Sequence, residues 1–100
     1  IVPTALVESG FNIRSRQPTM SRTTNFEIYV ESDQAIMVYA LSEDGMDAFD
    51  SSEGFTPIVQ GRVLDSRTLK VRIPAGEPWY LLMVNKTSHD AAVHWQVRAM

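Results

Sequence analysis

One hundred residues, 44% of them apolar, suffice for one domain around one core. Nine basic against twelve acidic residues leave a net charge of -3, which excludes a long-range field drawing the chain onto nucleic acid or an anionic membrane. No apolar run approaches the ~20 residues of a membrane-spanning helix, and the lack of cysteine excludes disulfide staples and thiolate chemistry.

The chain opens on Ile1, which reads as an excised or processed segment. Thr4 to Val7 and Phe11 to Ile13 are weak strand candidates around Ser9-Gly10, and Gln17 to Arg22 reads as a loop. From Asn25 to Val30 the alternation is clear, with Phe26, Ile28 and Val30 on one face and Asn25, Glu27 and Tyr29 on the other. Asp33-Gln34 breaks it. Ala35 to Leu41 then sets Ile36 and Val38 against Met37, Tyr39 and Leu41, so the two segments read as a hairpin.

Ser42 to Gly54 has the composition of turns and predicts a long loop that Met46 and Phe49 pin to the core. Pro57 marks Phe55 to Val63 as an edge strand or bulge, since proline donates nothing to a ladder. Leu69, Val71 and Ile73 alternate with Thr68, Lys70 and Arg72, and Pro74 to Glu77 turns the chain. Trp79 to Val84 is apolar on both faces, as in a covered central strand. Asn85 to Asp90 makes another turn. Val93, Trp95, Val97 and Ala99 close the chain by alternating with His94, Gln96 and Arg98.

About seven or eight short strands with turn signals between them predict an all-β domain over residues 1–100, a two-sheet antiparallel sandwich of jelly-roll type, with a small closed barrel as the alternative. Trp79, Leu81 and Met83 are assigned to the core, and Trp95 with them. Met37, Tyr39, Leu41, Tyr80, Leu82 and Val84 then form a second apolar face that a loop, a neighbouring domain or another subunit must cover.

The stretches YALSEDGMDAFD and RTLKVRIPAGEPWYLLMVNKTSHDAAVHWQV resemble bacterial β-sandwich accessory domains of the pre-peptidase C-terminal type. Asp44-Gly45, Pro74 to Gly76 and Trp79 to Asn85 carry the likeness. Glu77-Pro78 and the tryptophan at 79 depart from it. The resemblance implies a noncatalytic appendage in an extracytoplasmic bacterial setting.

The chemical candidates are weak against their structural alternatives. Ser88-His89-Asp90 has the residue types of a hydrolase triad, but consecutive side chains in a turn diverge, so a polar turn is expected. His94 faces outward, with too few partners for zinc. Glu43, Asp44, Asp47, Asp50 and Glu53 offer calcium ligands without the EF-hand order, so solvated turn residues are expected and no metal is assigned. Asn85-Lys86-Thr87 matches a glycosylation acceptor in an expected exposed turn. Arg14, Arg16 and Arg22 read as a soluble face rather than an anion clamp.

Functionally, the sequence predicts a noncatalytic module that needs no cofactor. It docks on a neighbouring domain, a protein or its own copy through Met37, Tyr39, Leu41, Tyr80, Leu82 and Val84. The alternative is a carbohydrate- or small-ligand-binding module using outward aromatics among Tyr29, Tyr39, Trp79, Tyr80 and Trp95.

Overall fold

The computed structural model describes residues 4–100, so Ile1 to Pro3 of the expected domain lie outside the described residues. Six strands and one helix follow in the order β1 (Thr4–Val7), β2 (Asn12–Gln17), β3 (Thr24–Ser42), α1 (Glu43–Asp50), β4 (Val59–Ile73), β5 (Trp79–Val84) and β6 (Ala91–Ala99). All pairings are antiparallel, and the sheet curls into a half-barrel.

The architecture turns on a two-stranded ribbon. β3 pairs with β4 along nearly its whole length. On its other side the first half of β3, Phe26 to Ser32, pairs with β6, and the second half, Met37 to Ser42, pairs with β5. β1 flanks β6 and β2 flanks β5. β1, β2 and β4 leave free edges, so the described residues do not form the closed barrel considered above.

The bend between the halves is a bulge. Ser32 lies opposite Asp65 and Ile36 opposite Val63, so β3 spends two residues more than β4. Ser32 Oγ donates to the Gln34 carbonyl at 2.6 Å, and Asp33 Oδ1 accepts from the Ala92 N–H at 2.8 Å. Asp65 sits at φ 68°, a left-handed conformation that aspartate tolerates better than most residues. An insertion of two preserves the alternation, so the even positions of β3 point inward on both sides of the bend.

The expected hairpin between 25–30 and 35–41 is therefore one continuous strand. The expected segments 55–63 and 67–73 likewise merge into β4, which starts only at Val59, past Pro57, and brings the count among the described residues to six. The turn at Pro74 to Glu77 stands as read: the Glu77 N–H donates to the Pro74 carbonyl, and Gly76 takes φ 74° at the position that needs glycine.

One core joins both halves. Phe26, Ile28, Val30, Leu69, Val71, Ile73 and Val93 come from the first half, and Ile36, Val38, Val63, Trp79, Leu81 and Met83 from the second. The Phe26 and Trp79 rings lie 5.2 Å apart across them. Partly buried Trp95 packs against this core, as its alternation predicts. Side chains of the first half reach over the backbone of Gly61, where a Cβ would fall 2.8 Å from Arg67 Nη1 and 2.9 Å from Leu69 Cδ2.

Candidate functional site

The second apolar face forms, and α1 lies on it. Leu41 and Leu82 are 0% exposed beneath Met46, with Phe49, Phe55, Tyr39, Tyr80 and Val84 packed around them. The Phe55 ring meets Tyr39 at 5.5 Å and Phe49 at 5.7 Å, both edge-on. Residues 43–50 are thus helical rather than the expected loop. Ser42 caps the helix, its Oγ accepting from the Gly45 N–H at 3.1 Å, and Glu43 and Asp44 complement the positive end of its dipole. Asp50, at the unfavourable end, is held in a two-pronged ion pair by Arg14 of β2, at 2.7 and 2.8 Å. That pairing lowers the Asp50 pKa from its ordinary value.

Of the six residues assigned to docking, Leu41 and Leu82 are inside the domain, and Tyr39, Tyr80 and Val84 are half-buried against them. Met37 is half-buried outside that cluster.

The turn after β5 is a structural knot. Asn85 is 0% exposed, which corrects the expectation that this turn exposes it. Its Nδ2 donates to the carbonyls of Val7 and His89, both at 2.8 Å, and its Oδ1 accepts from the Thr87 N–H and hydroxyl. Asp90 accepts from the Ser9 N–H at 2.9 Å, while the His89 N–H donates to Thr87 Oγ1. Ser88, His89 and Asp90 thus serve a turn.

The opposite surface is the outer face of the first half, and among the described residues no helix lies on it. Across β4, β3 and β6 the register sets Thr68, Tyr29 and Gln96 in one row. Lys70, Glu27 and Arg98 form the next, followed by Arg72 and Asn25. On the other side of Tyr29 lie Ser66, Glu31 and His94. All are exposed except half-buried Glu27. Tyr29 sits in the middle at 36% exposure, its hydroxyl donating to Glu31 Oε1. That bond holds the phenol pKa above its ordinary value. Arg98 donates to Glu27 Oε2 at 2.9 Å. The face offers one aromatic ring among amide, hydroxyl, carboxylate, guanidinium and ammonium groups, so it can stack on an apolar ring face and pair with hydroxyls around it.

The remaining candidates do not converge. Among the described residues no three His, Asp or Glu side chains are grouped to hold a metal. Arg14 is engaged by Asp50, and Arg22 lies in the loop before β3. Of the aromatics considered for stacking, Trp79 is core and Trp95 packs against it. Tyr39 and Tyr80 belong to the helix-covered face, which leaves Tyr29. Sequence reasoning noted Tyr29 but missed its companions Thr68, Lys70, Gln96 and Arg98. Their outward alternation was visible; the strand pairing that assembles them was not.

No family model matches the chain, and no curated protein matches it. Among solved structures it is similar to a carbohydrate-binding module, CBM36, in complex with calcium and xylotriose. The identity is 10% and the TM-score 0.47, covering 95% of this chain and 78% of that one.

Proposed function

We propose that this domain is a noncatalytic binding module that takes a carbohydrate chain on the open polar face around Tyr29. The carrying observation is the exposed Tyr29 ring with Thr68 and Gln96 in register on either side. A sugar ring lies its C–H face on an aromatic and turns its hydroxyls to planar donors and acceptors. An open sheet face suits an extended chain, whereas a small ligand needs an enclosing pocket. The accessory role follows as part of the proposal: the module holds a neighbouring activity near its polymer.

Affinity electrophoresis in gels containing soluble polysaccharides tests this reading. At least one polysaccharide is expected to retard the domain, and Tyr29→Ala is expected to abolish retardation without unfolding. A folded domain that no polysaccharide retards, or retardation indifferent to Tyr29, overturns it.

Protein docking through Met37, Tyr39, Leu41, Tyr80, Leu82 and Val84 keeps one supporting observation. Met37 and Val84 are paired in register and half-buried, in a row ending at exposed Asn12 and Arg62. Sedimentation that Met37→Glu leaves unchanged argues against that docking.

A further inference from the structure

The charges on the polar face are not evenly spread. Lys70, Arg72 and Arg98 gather at the end that carries Asn25, and Glu31 and Asp33 at the end that carries the bend. Glu27 lies among the cations, and its carboxylate is engaged by Arg98 at 2.9 Å. Among the described residues Lys70 and Arg72 form no ion pair. They occupy successive outward positions of β4, about 7 Å apart along the strand. Lys70 is the diagonal neighbour of Tyr29, whose direct partner is Thr68. That diagonal is about 7–8 Å, within reach of a long side chain.

We infer that the polysaccharide taken by this face is a uronate-bearing one, with Tyr29 under a sugar ring and Lys70 and Arg72 on the carboxylate of a neighbouring residue. The inference rests on the carbohydrate reading above and names its substrate class. Arg72 offers the planar fork that matches a carboxylate, and Lys70 a mobile ammonium beside it. The mixed sign of the face selects against a densely sulfated chain, because Glu31 and Asp33 repel a ligand charged along its whole length. A charge confined to intervals along the chain meets the cations and leaves the acidic end to neutral hydroxyls. The same two cations stand on the free edge of β4, where charge also discourages pairing with another sheet.

Titration calorimetry with four probes separates the outcomes: polygalacturonate, its fully methyl-esterified form, dextran sulfate and neutral xylan. Polygalacturonate is expected to bind best and to weaken as salt rises. The double variant Lys70→Gln, Arg72→Gln, with an unchanged melting temperature, is expected to lose about tenfold or more in affinity for it, as charge-assisted hydrogen bonds do when removed. If the methyl-esterified polymer or xylan binds as tightly, the charge inference is overturned while the carbohydrate reading stands. Dextran sulfate binding that ignores Tyr29→Ala marks general polyanion attraction and overturns it too. If none of the four binds the folded domain, both readings fall for this face.

Discussion

A buried amide has four hydrogen-bonding positions to fill, and Asn85 fills all of them within the protein. It ties the end of β1 to the turn after β5. Asn85→Ala strips partners from the buried Val7 carbonyl and from two partly buried backbone groups at once and is expected to cost about 3 kcal/mol in denaturant titrations. A loss under about 1 kcal/mol would show the knot to be dispensable. Trp79 presents the opposite case: it is 0% exposed and its indole N–H has no acceptor among the described residues. Its contribution is packing. Trp79→Ala is therefore expected to cost about 3–5 kcal/mol, and Trp79→Phe, which keeps most of the contact and loses no hydrogen bond, clearly less. Equal losses would mean that the N–H is paired. For Tyr29, the Glu31 carboxylate accepts a hydrogen bond from the phenol and favours its neutral form. The Tyr29 ring resonances are expected to titrate above the ordinary tyrosine range and to return toward it in Glu31→Gln.

At the scale of elements, α1 is the cover that the apolar face of β3 and β5 requires. Leu82→Glu puts a carboxylate under Met46 with no partner, so the isolated domain is expected to melt much lower or fail to fold. A variant that melts normally would mean that α1 does not stay docked. The Arg14–Asp50 pair gives the docking a pH dependence. Asp50 has a lowered folded pKa, so its contribution is complete above the unfolded carboxylate value and is lost as pH falls through the folded one. The pair is exposed, so only a small drop in melting temperature is expected on acidification through the lowered Asp50 value, and in Arg14→Gln that drop is expected to be absent. The helix was hard to read in the sequence because Asp44-Gly45 looks like a turn and only Met46 and Phe49 mark an apolar side. The strand faces were legible. Phe26, Ile28 and Val30, and Trp79, Leu81 and Met83, all point inward as their alternation demands.

At the scale of the molecule, periodicity gives each strand its inside and outside but does not say which strands touch. Asp33-Gln34 has turn composition, yet the chain runs through it as a bulge. The ribbon of β3 and β4 then crosses from one half to the other. That crossing also decides the candidate site. Five of the six residues assigned to docking pack together, but a segment read as loop folds back over them. The exposed rows around Tyr29 existed in the sequence only as unrelated outward positions on three strands. The most direct measurement of the central claim is a map of backbone amide shifts in the labelled domain titrated with oligogalacturonate. Shifts concentrated at Tyr29, Thr68, Lys70, Arg72, Gln96 and Arg98 are the predicted result. Shifts concentrated on α1, Met37 and Val84, or none at saturating ligand, would contradict it.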